Sequence, residues 1–233
     1  MRYWFIVLLS VVFALPAGAS EPYRIGVLRG PTAVAFAPLF RDQVALESGR
    51  TVQFDVMPSP DVLVARVISG EVDAAAIPSN AAAQLYNRGI DLQVAATFIW
   101  GVLYLVGPPG ATLDDAVGGE IYSIGRGATP DLVLRYILKE RGLLDSVTVR
   151  YGLSQVELAQ LLIAGRVELA VLPEPFVTRV VRGTEKRVVV EDLQALWQEA
   201  TGETLPQTVL VTVGAQSQAR RAELVALLRE STE

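Results

Sequence analysis

Ser59-Pro-Asp-Val-Leu-Val-Ala-Arg-Val-Ile-Ser-Gly-Glu-Val-Asp-Ala-Ala-Ala-Ile-Pro78 is echoed 95 residues later by Ser154-Gln-Val-Glu-Leu-Ala-Gln-Leu-Leu-Ile-Ala-Gly-Arg-Val-Glu-Leu-Ala-Val-Leu-Pro173. The two stretches align without a gap and share seven of twenty positions: Ser59/Ser154, Leu63/Leu158, Ile68/Ile163, Gly70/Gly165, Val72/Val167, Ala75/Ala170 and Pro78/Pro173. Each copy reads as one physical unit. Ser59 and Ser154 are placed to cap a helix start, where a hydroxyl accepts from an orphan backbone N–H. Val62, Leu63 and Val67, and likewise Leu158, Leu161 and Leu162, form a helical stripe. Gly70 and Gly165 stand where a left-handed residue ends a helix. The apolar runs 72–77 and 167–172 suit strands buried on both faces, and a proline closes each because it cannot donate to a ladder.

Upstream the likeness continues more loosely. Residues 23–28 predict a strand, followed by Arg29-Gly-Pro-Thr32 and a helical pattern over 33–46. Residues 120–124 predict another, followed by Gly125-Arg-Gly-Ala-Thr-Pro130 and a helical pattern over 131–141. Each half therefore reads strand, Gly-bearing turn, helix, strand, helix, strand, Pro-bearing turn, helix. Such alternation implies an α/β fold with parallel strands and right-handed crossovers, built twice. Between the halves, residues 92–106 are rich in β-formers and lead to Gly107-Pro-Pro-Gly110, which reads as a crossing between domains. A strand-like run at 187–190, a helix over 193–200 and a strand over 208–213 bring the chain back. An amphipathic pattern over 218–229, with Leu224, Leu227 and Leu228 on one side, follows.

Composition narrows the chemistry. The 233 residues are 51% hydrophobic, which excludes disorder, and 20 basic against 25 acidic side chains argue against nucleic acid. Cysteine and histidine are absent. Disulfides, thiolate or imidazole metal ligands, cysteine nucleophiles and histidine bases are thereby excluded. At the start, Met1-Arg2, an uncharged apolar run over 3–15 and Ala17-Gly-Ala19 have the form of a secretory signal peptide cleaved after Ala19. With no cysteine there, a lipid anchor is impossible. The mature chain is expected to be free in an exported compartment.

Ligands of open α/β sheets sit beyond the carboxyl ends of the strands. Four turns qualify: Arg29–Thr32, Pro78-Ser-Asn80, Gly125–Thr129 and Pro173-Glu-Pro-Phe176. Thr32, Ser79, Asn80 and Thr129 are either ligand contacts or plain helix caps. Gly125–Thr129 matches no complete phosphate loop, and Arg126 either pairs with a ligand anion or is a solvated turn residue. Glu174, between two prolines, either favours a helix start or holds a ligand amine or ring N–H. Trp100, with Phe98, Tyr104 and Phe176, is either core or a stacking wall for a planar ligand.

These four turns, as Ile25-Gly-Val-Leu-Arg-Gly-Pro-Thr32, Ser69–Asn80, Gly125–Pro130 and Ala170-Val-Leu-Pro-Glu-Pro-Phe176, resemble those of exported solute-binding proteins of ABC importers. The nearest group binds nitrate, sulfonate, taurine and thiamine-pyrimidine precursors. The resemblance implies a type II periplasmic binding fold of two lobes, each a mainly parallel sheet flanked by helices, closing by a hinge over a small polar or heterocyclic ligand. The implied division is a signal peptide over 1–19, the first part of lobe 1 over 20–105, lobe 2 over 106–192, and a return to lobe 1 over 193–233, without the further C-terminal helices usual in the family. Carried onto this chain, the ligand-binding residues are Thr32, Ser79, Asn80, Trp100, Thr129 and Glu174. The implied protein is a periplasmic monomer that hands its ligand to an inner-membrane ABC permease, with no cofactor and no catalysis. Two alternatives remain: a lyase- or dehydratase-type enzyme in the same cleft, or a soluble receptor for a membrane sensor. A pyrimidine or similar heterocycle suits Glu174 and Trp100 better than a sulfonate or nitrate.

Overall fold

A computed structural model of the chain describes residues 21–40, 44–216 and 218–231. The segment expected to be a signal peptide, residues 1–19, lies outside the described residues. Two five-stranded sheets organise the rest. The first contains β1 (Tyr23–Leu28), β2 (Val52–Met57), β3 (Ala74–Pro78), β4 (Leu92–Trp100) and β10 (Pro206–Val213), in the order β2-β1-β3-β10-β4. The second contains β5 (Leu103–Gly107), β6 (Glu120–Tyr122), β7 (Thr148–Arg150), β8 (Ala170–Pro173) and β9 (Val188–Asp192), in the order β7-β6-β8-β5-β9. The orders superimpose when β1 is matched with β6, β2 with β7 and β3 with β8. The repeat seen in the sequence is thus a repeat of topology.

Pairing is parallel within β2-β1-β3 and within β7-β6-β8. It is antiparallel on both sides of β10 and of β5. In each sheet four strands therefore point one way and one opposes them. The reason is geometric. The four end at the face between the sheets, whereas β5 and β10 each begin there, having just arrived from the other sheet. Strand β5 belongs wholly to the second sheet, and α7 (Leu193–Thr201) packs Leu193 and Leu196 into the core of that sheet, so the return to the first sheet is made by β10.

The repeated unit folds much as its residues dictate. Helices α2 (Pro60–Ile68) and α5 (Gln155–Ile163) bury Leu63 and Val67, and Leu158 and Leu162. A fully buried leucine contributes about 2 kcal/mol. Val62 stays exposed. Gly70 and Gly165 hold φ of 70° and 69°, the left-handed stop that only glycine adopts without strain. Ser154 accepts from Glu157 N while Glu157 reaches back to its backbone N–H, a reciprocal cap. Ser59 makes no such bond; Pro60 follows it at the first helical position, where no N–H is available. A Cβ on Gly26 would lie 2.3 Å from Leu63 Cδ1, so the bare backbone of β1 lets α2 approach closely.

Both faces of each sheet are covered. In the first, Tyr23, Ile25, Phe36 and Leu224 pack on one side and Leu63, Ile77 and Leu85 on the other. The second does the same with Leu134, Ile137 and Leu196 against Leu158, Leu172 and Val180. The single helix expected over 33–46 is instead a short α1 (Pro31–Ala35) and a 3-10 turn at Ala37–Phe40. Pro38 lacks the N–H an α-helix needs there and clashes with the preceding turn.

Candidate functional site

The carboxyl ends of β1, β3 and β8 and the start of β5 converge on a cleft of about 610 Å³ between the two sheets, with Leu28, Pro78, Pro173 and Leu103 in its lining. That volume falls inside the ~300–1,000 Å³ of small-molecule sites. Its walls combine apolar groups (Val64, Ile99, Val102, Ile124) with three arginines, Arg29, Arg88 and Arg126, against a single carboxylate, Asp61. Among the described residues none of these arginines is ion-paired. In a chain of net charge −5 the cleft is thus a local concentration of positive charge.

Three of the six expected contacts line this cleft: Thr32, Asn80 and Thr129. Thr32 is buried on the turn after β1 and has no side-chain partner among the described residues. Asn80, near the start of α3 (Ser79–Asn87), accepts at Oδ1 from Thr129 Oγ1 (2.9 Å) and donates from Nδ2 to the Gly127 carbonyl (3.3 Å). Ser79 lies on the other side of its helix, where its hydroxyl donates to Pro206 O at 2.6 Å and ties α3 to β10. Glu174 and Trp100 do not line the cleft. The Glu174 carboxylate accepts from Thr178 N (3.1 Å) and Thr178 Oγ1 (2.9 Å), bracing the first turn of α6 (Phe176–Gly183). Trp100 ends β4 with half its surface in solvent, and Phe98 packs edge-on against Phe36 at 5.5 Å in the first core. Tyr104 and Phe176 pack against the second. The aromatic wall is not assembled. Accordingly, Glu174→Gln should leave solute affinity within about twofold of wild type and cost only the ~0.5–1 kcal/mol of a weakened helix start, as calorimetry and melting curves would show.

The turn carrying Arg126 is held by residues that motif reading passed over. At the start of α4 (Thr129–Glu140), the buried Asp131 carboxylate accepts from Gly127 N (2.7 Å), Tyr151 OH (2.6 Å) and Arg135 Nε (2.8 Å). Burial pushes the Asp131 pKa up, but these three donors outweigh it and hold the carboxyl below its usual range. The Tyr151 ring in turn supports the Arg126 guanidinium, 4.5 Å above its centroid. The signal was present in the sequence as an Asp–Arg pair one helical turn apart, Asp131 and Arg135.

Where the chain passes between sheets, Gly101 and Val102 both adopt positive φ (67° and 68°), and Gly101 N donates to Leu205 O on the other crossing segment. A β-branched residue is rare in that conformation and costs about 1–3 kcal/mol. The two crossings are therefore stitched side by side at a strained point that itself lines the cleft. Among the described residues no group of three metal-ligating side chains is found, and no helix is long and apolar enough to cross a membrane.

Comparison with solved structures places this architecture. An ABC transporter structure from Parabacteroides distasonis is 32% identical, with a TM-score of 0.77 over 91% of this chain and 72% of its own. The chain belongs to the ABC-transporter solute-binding proteins. More distant structures share its fold. The periplasmic aliphatic sulphonate binding protein of Escherichia coli is 14% identical (TM-score 0.69, 91% of this chain and 72% of that one). The alkanesulfonate-binding protein of Xanthomonas axonopodis pv. citri, bound to MOPS, is 18% identical (TM-score 0.65, 91% and 74%). No family model and no curated protein sequence matches the chain. The two-lobed α/β architecture expected from the repeat is the one found.

Proposed function

We propose that this binding protein is the exported receptor of an ABC importer and that it captures a small organic anion between its lobes. The observation carrying the ligand class is the cleft lining: three unpaired arginines and one aspartate over apolar walls. An anionic head meets Arg126, Arg29 and Arg88, with an apolar body lying against Ile99, Val102 and Ile124. Arginine suits this role because its planar fork of donors matches carboxylate, sulfonate and phosphate oxygens. Thr32 supplies a free hydroxyl. Closure about Gly101–Val102 and the adjoining Leu205 segment would exclude water, strengthening each of these contacts. Glu174 and Trp100, which would suit a heterocycle, lie outside this lining, and the three arginines within it support an anion. The loaded monomer would present both lobes to an inner-membrane permease from the periplasm, after removal of residues 1–19.

Mass spectrometry of small molecules released on denaturing the purified mature protein tests the reading. A single organic anion, near one per chain and detected in negative mode, is expected. A cationic or neutral heterocycle instead would reverse the assignment of the cleft.

A further inference from the structure

We propose that Asn80 is a clasp by which the two lobes hold each other closed without any solute. This rests on the hinged, two-lobed reading above. Asn80 projects from the first lobe, and both ends of its carboxamide are taken by the second, Oδ1 by the Thr129 hydroxyl and Nδ2 by the Gly127 carbonyl. Among the described residues these are the side-chain hydrogen bonds that span the cleft. The Gly127 carbonyl can only accept, so it fixes which end of the amide faces it, and the Thr129 hydroxyl then serves as donor to the other. A fork of this kind is specific in direction as well as distance.

Each jaw is braced within its own lobe. On the second lobe, Asp131 pins the turn through Gly127 N, and Tyr151 and Arg135 hold Asp131. On the first, Ser79 anchors the start of α3 to β10, one residue before Asn80. The side chains that close the clasp therefore lose little freedom when it forms, which is the condition under which two hydrogen bonds yield a net gain. It follows that Asn80 and Thr129 act mainly on the equilibrium between open and closed lobes. Solute recognition falls to the arginines and Thr32, and entry requires the clasp to release.

The chain has no cysteine, so Asn87→Cys and Glu140→Cys, at the far ends of α3 and α4, give one spin-label pair reporting the separation of the lobes. The doubly labelled protein, unfolded and refolded to strip any solute, is measured by pulsed electron resonance. A narrow, short distance is expected with Asn80 present. In the Asn80→Ala background the distribution should shift to longer distances, the closed-to-open ratio falling roughly tenfold or more for two net hydrogen bonds lost. Thr129→Val should shift it in the same direction but less, and Thr129→Ser should restore the short distance. Should Asn80→Ala refold poorly, the Thr129 pair decides the matter. Distributions for Asn80→Ala or Thr129→Val that superimpose on the parent, or a parent distance that is already long, would overturn the clasp. Solute identity is read separately by mass spectrometry, so a failed clasp leaves the transport reading standing, and the reverse.

Discussion

An Asp131→Ala chain should melt roughly 6–12 °C below wild type and bind its solute poorly, although Asp131 is not placed to touch the solute. The carboxylate is 3% exposed and satisfies a backbone N–H, a phenol and a guanidinium at once. Removing the acceptor leaves Gly127 N and Tyr151 OH without their partner. Losing a buried charged hub of this kind costs about 3 kcal/mol, at ~2–4 °C per kcal/mol for a chain this long. Binding suffers because the turn that presents Arg126 is no longer fixed, and Tyr151 beneath it is held, among the described residues, by Arg135 alone. Asp131→Asn should lie between, since an amide keeps one acceptor oxygen and loses the charge. The pH dependence has a definite sign. The folded carboxyl titrates below its ordinary range, so its contribution is complete above the unfolded value of about 4 and is lost as pH falls through the lower folded value. Melting curves of wild type and Asp131→Asn should therefore be well separated at neutral pH and converge in acid. Parallel curves across that range would remove Asp131 from the role assigned here.

Reversing charge in the cleft should have the largest effect on binding alone. Arg126→Glu sets a carboxylate where the anionic head is expected, and affinity for the solute recovered from wild type should fall roughly 30-fold to 1,000-fold, the equivalent of about 2–4 kcal/mol. Arg126→Lys keeps the charge but not the planar stack on Tyr151, so its loss should be much smaller. Both melting temperatures should stay near wild type, because Arg126 is exposed and has no ion pair among the described residues. Titration calorimetry with undiminished affinity for Arg126→Glu would sink the anion reading while leaving the fold and family untouched.

The architecture was legible because it is written in spacing. Gly70 and Gly165, Pro78 and Pro173, and the stripes on α2 and α5 set lengths and stops that tertiary packing did not override. The helix expected over 33–46 breaks for a local reason, Pro38, which outweighs an otherwise helical pattern. The cleft was legible only as a set of turns. Thr32, Asn80 and Thr129 fall in it because they begin helices at strand ends. Ser79 and Glu174 sit on equivalent turns, yet turn toward the backbone of β10 and toward Thr178. Ser79 takes its direction from Pro206, far away in sequence, and Glu174 from a threonine one helical turn on, and a single residue of register separates either from a cleft-facing side chain. Arg88, at the far end of α3, gave no local sign of reaching the cleft at all.

The strand order also dictates when each lobe can be completed. The second sheet is assembled from one continuous stretch, β5 to β9, so its strands are all present once residue 192 has been made. The first sheet is not. Among the described residues, strand β4 pairs with that sheet through β10, which inserts between β3 and β4. Until residues 206–213 arrive, β4 lacks its hydrogen-bonded strand neighbour, and the hydrophobic surface that Leu210 and Leu224 will cover stays open. Closing so long a loop is slow compared with local pairing. The amino-terminal lobe, whose first strands are synthesised first, thus receives its last strand after the second sheet already has all of its own.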